Sequence, residues 1–557
     1  MITYRGIFRL YVQLLFTRVG WCLKKTAVKY FMQIIFRKDL VMSKQVIDEN
    51  VLGNGPALPT DKKTTAQQAA DWSCPVFKVS GVFSSHMVLQ REQPIKVWGF
   101  SNIPGSQVTG SFMGEVSTAT VTEDNRWTLT FSARSYEKTP QSMTITDDHD
   151  HTVTLEDILV GDVWLLGGQS NAELNLAPCM YLTPDIEFHE EDNFRLFAQT
   201  QDYPYTHQEF CATPQPDVIN PEWCWKRPDK ESSLMFSAIG WYFAREITQY
   251  IDIPLGLIMM AAGGSCIREL IPVELAHQEG YTYGALVQEG GYFNTLIHPF
   301  IGLPFKAVIF FQGESEGGTR NLADRYAYDL ELLVADERAR FGLNFPFYNI
   351  QLSDYREEGE QYFPWLDTIR VQQFKALSTI PNSTLTVDMD LGSPAGYPDF
   401  AHSPFKKELS DRLAKLALAR EYGVGQEAEC SSPHPVTASF SEDKKQIIVE
   451  FRNVSTGLAV RNHTSAESYG MEVNGFSVGD YDHREAARAV ITAPNTVTID
   501  IPSEVLAAVN ASPESAEILT GYINYAYVVH ITPDNANLCG GNSMPVPAFS
   551  MSVTARL

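Results

Sequence analysis

Residues 163–171 read VWLLGGQSN, and this stretch decides the fold. Its four apolar residues predict a buried strand, and the two glycines at the strand end let the backbone turn sharply and let a ligand approach it. Ser170 follows the turn, where a hydroxyl lies beside free backbone N–H groups, as a nucleophile next to an oxyanion site requires. The alternative is a tight strand-to-helix turn in which Ser170 only caps the helix, and this stretch alone favours neither interpretation.

Apolar runs and amphipathic helices alternate after this stretch. Further buried strands are predicted over 255–262, 307–311, 347–352 and 385–389. Helices are predicted over 235–251, 322–341 and 367–380, and a fourth begins after Ser403 as N-cap, with Pro404 at the first helical position. The alternation predicts an α/β region with a parallel sheet covered on both faces, in which ligands bind at the carboxyl ends of the strands.

Short strand-like runs separated by turn residues precede and follow this α/β region, which predicts antiparallel β domains on both sides of it. The runs are 95–99, 107–112, 117–122, 127–131 and 143–146 before it, and 445–451, 468–473, 489–501 and 518–531 after it. We therefore expect a poorly ordered basic leader and linker over 1–76, and an N-terminal β-sandwich-like domain over 77–157. The α/β domain is expected over 158–425, and a C-terminal β-sandwich-like domain over 426–557.

The charge of the chain is strongly acidic but unevenly distributed. Its 557 residues carry 43 basic and 67 acidic side chains, a net charge of −24, which argues against nucleic-acid binding because phosphate backbones are repelled. Residues 1–38, in contrast, hold eight Lys or Arg and no acid. No run in this leader approaches ~18 uncharged apolar residues, so no stable membrane span is expected. A signal-anchor, an organelle presequence and an upstream extension with Met42 as a second start stay open.

Cysteines and glycosylation sequons bear on the compartment. The eight cysteines are scattered and include no CxxC pair, which argues against a structural zinc site and leaves any disulfide pairing open. Four N-x-[ST] sequons are a weak indication of a glycoprotein that passes through the secretory pathway; they begin at Asn382, Asn453, Asn462 and Asn510. The sequence does not exclude a cytoplasmic location, and it does not determine the oligomeric state.

Polar or glycine-rich motifs follow two further predicted strands. After 307–311 comes QGESE, in which Gln312 can donate its amide N–H to an oxyanion and Glu314 can orient a neighbouring side chain. After 255–262 come Gly263 and Gly264, which offer bare backbone N–H groups at a third strand end.

An Asp-x-x-His motif follows the last predicted strand of the α/β region. Asp399 lies three residues before His402, so its carboxylate can bond one ring nitrogen while the other acts as a base. In isolation such a motif is more often part of a surface loop. The chain order is Ser, acid, His, but Ser170 lies in GQSNA, which lacks the second glycine of GxSxG. This favours a flavodoxin-like, SGNH-type hydrolase over an α/β-hydrolase.

Several spaced motifs together resemble the sialate O-acetylesterase family. They are GQSN at 168–171, QGES at 312–315, the segment 388–402 that begins DMDL, FSSHMVLQR at 83–91, and INYAY at 523–527. The similarity runs from about residue 77 to 555, and the motifs occur in the family's order, which makes the match far more specific than any one of them.

The resemblance implies an esterase that releases acetate from O-acetylated sialic acids through a Ser-His-Asp acyl-enzyme mechanism, without a metal or an organic cofactor. Ser170 would be the nucleophile, at the turn begun by Gly168, and His402 would be the general base and acid. Asp399 would orient His402, with Asp390 as its rival. Gly264 and Gln312 would stabilise the oxyanion. The resemblance also favours a secreted or lysosomal location.

The chain departs from the family pattern at a few positions. Arg268 stands where the family has an acid, Glu316 where it often has asparagine, and Ser403 where proline usually follows the histidine. Arg268 can either contact a substrate carboxylate or form a structural ion pair, which is the more common case at such positions. Two other functions stay open: an acetylxylan-type esterase of the same fold, and a non-catalytic carbohydrate-binding relative.

Overall fold

The protein is described from a computed structural model. It describes residues 74–179, 186–190, 192–199, 211–278, 289–354, 363–394, 397, 399–532 and 535–554, all within one compact unit. The predicted leader and linker, with Cys22 and Met42, lie outside the described residues up to position 73. Among the described helices, none is both long and apolar enough to cross a membrane. The seven cysteines that are described are all free thiols.

The strands of the first described segment pair antiparallel with one another, with one exception. They are β1 (Lys78–Val79), β2 (Val88–Gln90), β3 (Ile95–Phe100), β4 (Gln107–Phe112), β5 (Glu115–Thr120), β6 (Arg126–Phe131), β7 (Glu137–Asp147) and β8 (Thr152–Gly168). The exception is β2, which pairs parallel with β8. β8 is 17 residues long: its first part pairs antiparallel with β7, and its second part enters the central sheet. The predicted boundary between 157 and 158 therefore falls inside one continuous strand.

The central sheet is built on the second part of β8. Its other strands are β9 (Phe194–Ala198), β10 (Trp225–Lys226), β11 (Leu255–Ala261), β12 (Ala307–Phe311), β13 (Phe347–Gln351) and β14 (Ser383–Val387). Parallel pairing gives the spatial order β9-β11-β8-β12-β13-β14, with β10 antiparallel to β9 at the edge. When β9 is left out and the other five parallel strands are numbered in chain order from β8, their spatial order is 2-1-3-4-5, which is that of a doubly wound sheet.

Helices cover both faces of this sheet. Those of the central region are α1 (Ser170–Glu173), α2 (Leu176–Cys179), α3 (Lys230–Leu234), α4 (Ala238–Ile247), α5 (Ile267–Leu270), α6 (Val273–Gln278), α7 (Arg320–Phe341), α8 (Leu366–Ala376) and α9 (Lys406–Glu421), with short turns at Phe293–Ile297, His298–Phe300 and Glu316–Gly318. Side chains alternate along β8: Trp164 packs on Phe243 of α4, with ring centroids 4.8 Å apart, whereas Leu165 lies beside Phe341 of α7.

The C-terminal segment returns to β-structure. Its elements are α10 (Glu427–Cys430), β15 (His434–Phe440), β16 (Gln446–Arg452), β17 (Leu458–Val460), β18 (Glu472–Val473), β19 (Phe476–Val478), β20 (Glu485–Ala486), β21 (Ala489–Ala493), β22 (Thr496–Asp500), α11 (Ser503–Ala511), α12 (Ala516–Thr520), β23 (Tyr522–Tyr525), β24 (Leu538–Gly540) and β25 (Phe549–Ser552), with short turns at Tyr481–His483 and Pro513–Ser515. The strands form three small sheets, of orders β15-β16-β22-β21-β18, β17-β24 and β20-β19-β23-β25.

A fully buried arginine joins this segment to the α/β region. Arg370 of α8 donates to the carbonyls of Val528 and Val529 at 3.0 and 3.1 Å and also to those of Leu352 and Ser353. Each buried carbonyl that it satisfies would otherwise carry a desolvation cost.

The predicted mixed α/β fold with a central sheet and additional β-sheets is confirmed, whereas three local predictions are wrong. α9 begins at Lys406 with Phe405 as N-cap, so Ser403 lies two residues before the cap; its hydroxyl donates to the carbonyl of Leu391 and accepts the N–H of Phe405 at 3.3 Å. The predicted strand 489–501 is two strands, since Pro494 and Asn495 form a turn between them. The predicted strand 518–531 contains the end of α12 and only four strand residues.

Candidate active site

Three strand ends meet at one edge of the central sheet. Gly168, the last residue of β8, lies opposite Ala261 on one side and Phe311 on the other. A side chain at position 168 would place its Cβ 2.0 Å from the Phe311 carbonyl oxygen, and the φ of +127° also favours glycine. Ser170 then opens α1 and is 9% exposed at this edge. The predicted sharp turn to a serine is therefore formed.

In the loop after β11, all but one of the backbone N–H groups from 263 to 267 have a hydrogen-bond acceptor among the described residues. Four of the five from 263 to 267 have an acceptor: Gly263 donates to Glu173 Oε2 (2.7 Å), Ser265 to the Ala262 carbonyl (3.1 Å), Cys266 to Glu269 Oε2 (2.8 Å) and Ile267 to Glu316 Oε1 (2.7 Å). Gly264 is the exception, since its N–H has no acceptor among the described residues, and its φ is +75°.

The first turn of α1 offers a second donor. The N–H groups of Ser170 and Asn171 likewise have no acceptor in the described parts of the chain, as expected for the first turn of a helix. A negatively charged oxygen at a helix start is stabilised by such N–H groups. Ser170 and Gly264 therefore each supply a backbone donor at this edge of the sheet.

Gln312 does not offer a third donor here, which corrects the role expected for it. Its side chain is fully buried, and its amide nitrogen lies 3.1 Å from Gln169 Oε1, 3.0 Å from the Ser265 carbonyl and 2.5 Å from Glu316 Oε2. An amide has two N–H groups, so these three acceptors leave none for an oxyanion. Gln312 instead ties the turn before Ser170 to the loop that carries Gly264.

His402 and Asp399 form the predicted pair. His402 Nδ1 lies 3.0 and 2.9 Å from the two Asp399 carboxylate oxygens, and the backbone N–H groups of His402 and Ala401 donate to the same carboxylate. Burial raises the pKa of Asp399, but the hydrogen bonds and the charge of His402 outweigh it, so this pKa lies below its ordinary value.

The rival acid Asp390 has other partners. Its carboxylate accepts two hydrogen bonds of 2.7 Å from Arg412 and lies 3.0 Å from an Arg461 terminal nitrogen. Burial, which raises its pKa, is outweighed by these two guanidinium groups, so the pKa of Asp390 is lowered. Of the two carboxylates, only that of Asp399 is hydrogen-bonded to the His402 ring.

The Asn171 amide joins the serine turn to the histidine loop. Its Nδ2 donates to Glu314 Oε1 at 2.6 Å and to the Ala401 carbonyl at 3.1 Å, while its Oδ1 accepts from Lys406 Nζ at 2.8 Å. Asn171 follows Ser170, and Ala401 precedes His402, so this cluster sets the two segments side by side. Glu314 thus orients a neighbour, as expected.

Lys406 is a residue that the sequence analysis missed. It is 1% exposed, and its ammonium group also lies over the Phe311 ring, 5.2 Å from the centroid. The only signal in the sequence was its position four residues after His402, at the first residue of α9.

Arg268 lies in α5 and is only 5% exposed. Its positive charge opposes the burial that raises the pKa of Glu269, the next residue, to about 7. This placement favours a structural ion pair over contact with a substrate carboxylate. No group of three or more His, Cys, Asp or Glu side chains suited to a metal ion is present in the described residues.

Glu316 makes the stability of this site depend on pH. Burial raises the pKa of its carboxyl group from 4.5 to about 7, against the opposing hydrogen bonds from Ile267 and Gln312. The folded protein therefore holds this proton more tightly than the unfolded chain does. The stability contributed by the protonated group is complete below about pH 4.5 and is lost as the pH rises through about 7.

We predict that Glu316→Gln removes this dependence. Between pH 4.5 and pH 8 the wild-type protein should lose roughly 3 kcal/mol of unfolding free energy relative to the variant. Urea unfolding of both proteins at several pH values measures the difference. Glu472→Gln, at a carboxylate that is 62% exposed, is the control and should follow the wild type. A difference between Glu316→Gln and wild type that is constant with pH would contradict the prediction.

Comparison with known proteins agrees with this geometry. The model of the family described as carbohydrate esterase, sialic acid-specific acetylesterase matches residues 160–418. Sialate O-acetylesterases of Pongo abelii and Homo sapiens are each 25% identical to this chain, over 62% of it and 71% of their own length. A crystal structure of a carbohydrate acetylesterase from Xanthomonas citri aligns with a TM-score of 0.69 and 24% identity, covering 86% of this chain and 99% of that one.

The matched residues begin within β8 and end within α9, so they contain each strand end described above. The resemblance expected from the spaced motifs is thereby confirmed: residues 160–418 of this chain match the model of the sialic acid-specific acetylesterase family of carbohydrate esterases.

Proposed function

We propose that this protein is a carbohydrate O-acetylesterase that releases acetate from O-acetylated sialic acids, with Ser170 as nucleophile. The observation that carries the proposal is that two backbone N–H groups, of Ser170 and Gly264, have no acceptor among the described residues and lie at the same edge of the sheet as the Ser170 hydroxyl. Two preorganised donors at a nucleophile are what an acyl-transfer oxyanion needs. The names of the relatives support the sialic acid as substrate.

The proposed reaction has two steps. The Ser170 hydroxyl gives its proton to His402 and attacks the acetyl carbonyl carbon, and the resulting oxyanion accepts from the Ser170 and Gly264 N–H groups. Collapse breaks the ester bond, and His402 returns the proton to the departing sugar oxygen. Water, deprotonated by His402, then attacks the acetyl-serine and releases acetate. Asp399 holds Nδ1 throughout, so Nε2 is the nitrogen that exchanges the proton.

The fold assignment belongs to the same proposal. The 2-1-3-4-5 strand order and the serine after the first of these strands support an SGNH-type hydrolase. We retain β-sandwich-like domains over 77–157 and 426–557 around the α/β domain over 158–425 as the proposed organisation. Secretory or lysosomal passage likewise stays a proposal.

We predict that the full chain releases acetate from 9-O-acetylated sialic acid and that Ser170→Ala and His402→Ala lower kcat by about 10³-fold or more. The two variants remove the nucleophile and the base without disturbing the buried core. His483→Ala is a matched control, because His483 also bonds an aspartate three residues before it, at 2.7 Å, but is 52% exposed elsewhere.

Acetate release is measured by a coupled assay with purified protein. Activity retained by Ser170→Ala would overturn the assignment of the nucleophile. Wild-type protein that deacetylates xylan but not the sialic acid would establish the acetylxylan-type alternative. Protein that releases no acetate and is not labelled at Ser170 by an active-site phosphonate would indicate a binding protein.

The two candidate acids are separated by a second prediction. Asp399→Asn should lower kcat by about 10²–10⁴-fold, because the histidine ring loses the carboxylate that selects its tautomer. Asp390→Asn should instead destabilise the fold, since Arg412 and Arg461 lose their shared carboxylate. Measuring both kcat and the thermal midpoint of each variant distinguishes the outcomes. A larger loss of kcat in Asp390→Asn, at equal stability, would reverse the assignment.

Lys406 is predicted to act as a positioning residue. Lys406→Met keeps the chain length but removes the hydrogen bond to Asn171, and we expect kcat to fall about tenfold to a hundredfold as the histidine loop loses its fixed position. The control is Lys407→Met, the next residue, whose side chain is 43% exposed and pairs only with Asp411 at the surface of α9. Steady-state kinetics with 4-nitrophenyl acetate measure both, and equal rates for the two variants would contradict the prediction.

A further inference from the structure

We propose that Arg461, on the wall of a cavity beside the Asp399–His402 pair, binds the carboxylate of an acidic sugar substrate. This inference rests on the proposed esterase function and names the feature by which the site would prefer acidic over neutral acetylated sugars. No residue of the C-terminal β segment was expected to contact substrate.

The cavity lies where the carboxyl ends of β13 and β14 face the C-terminal segment. It has a volume of about 180 Å³, and its polar walls come from Asp354, Asp390, Ser393, Arg461 and Thr532. One water needs only ~10–15 Å³ of such a volume, so the cavity has room for the carboxylate of a sugar.

The cavity adjoins the candidate catalytic pair. Ser393, in its wall, donates through its hydroxyl to the carbonyl of Asp399 at 2.8 Å. Asp399 in turn bonds the His402 ring, and the carbonyl of Ala401 accepts from Asn171, the residue after Ser170. The wall of the cavity is thus connected to the serine turn through contacts of the histidine loop.

The charges around Arg461 leave a positive excess. Arg412 already binds Asp390 through two hydrogen bonds of 2.7 Å, so its guanidinium neutralises that carboxylate. Arg461 approaches one of the same oxygens at 3.0 Å as an ion pair. Within the chain segments that the structure describes, its guanidinium makes no hydrogen bond, so N–H groups remain for a ligand.

Asp354, the other carboxylate of the cavity, does not balance this excess. Its Oδ1 accepts the Ile531 N–H at 3.0 Å, and its side chain is only 3% exposed. Its charge also acts on the fully buried Arg370. Arg461, in contrast, is 30% exposed.

Arg461 takes the role that was the less favoured of the two alternatives for Arg268. Arg268 is buried in α5 beside Glu269, whereas Arg461 lies on the cavity and has unused donors. A planar guanidinium with free N–H groups binds a carboxylate through two parallel hydrogen bonds.

The test compares two substrates that differ only in the charged group: 9-O-acetylated sialic acid and its carboxamide. For the wild-type protein we expect kcat/KM to be about tenfold to a hundredfold higher for the acid, mainly through KM, as expected for a hydrogen-bonded charge pair. In Arg461→Gln this ratio should fall to near one. Arg488→Gln, in the same segment but 58% exposed and paired with Glu472 and Asp500, should keep the wild-type ratio.

Each outcome is decisive. A wild-type ratio near one, or a high ratio that survives in Arg461→Gln, overturns the carboxylate site while leaving the esterase proposal intact. Absence of acetate release from both sugars by the wild type overturns the esterase proposal and this inference with it. If Arg461→Gln does not fold, Arg461→Lys and the wild-type comparison provide the same discrimination, since lysine keeps the charge but loses the paired N–H geometry.

Discussion

The side-chain amide of Asn171 is bonded by groups from two distant segments of the chain, one at Glu314 and one at 401–406. It donates to Glu314 and to the Ala401 carbonyl and accepts from Lys406, and the side chains of Asn171, Glu314 and Lys406 are buried. Losing any one partner would leave a buried polar atom unsatisfied, at a cost of about 1–3 kcal/mol. Ser170 precedes Asn171 and His402 follows Ala401, so the relative position of the candidate nucleophile and the candidate base depends on this amide.

Three glutamates determine which backbone N–H of the loop after β11 is left for the proposed oxyanion. Glu173, Glu269 and Glu316 each accept a backbone N–H from this loop. Buried backbone donors need acceptors, and these side chains supply them for three N–H groups near Gly264. The Gly264 N–H therefore remains as the donor of the proposed oxyanion site. Glu316 is one of the positions at which the chain departs from the family pattern, and here it accepts the Ile267 N–H.

The C-terminal segment contributes to the site as well as to the core. Val387 and Met389 pack into the hydrophobic core of that segment, on either side of buried Asp388. This packing fixes the turn after β14, from which Asp390 meets Arg461. The segment therefore contributes Arg461 to the edge of the sheet at which the chemistry is proposed.

The sequence by itself determined the local features of this protein. Strand 163–168 with its turn to Ser170, and the contact between Asp399 and His402, follow from spacing, because an acid three residues before a histidine can bond it within one turn. The tertiary structure alone decided the rest. The Gln312 amide has three acceptors, α9 begins three residues after Ser403, and Arg461 lies on a cavity. Such contacts join residues that are far apart in sequence. Whether each polar group finds a hydrogen-bond partner depends on the strand order and on all neighbouring donors and acceptors, and no local sequence pattern encodes these.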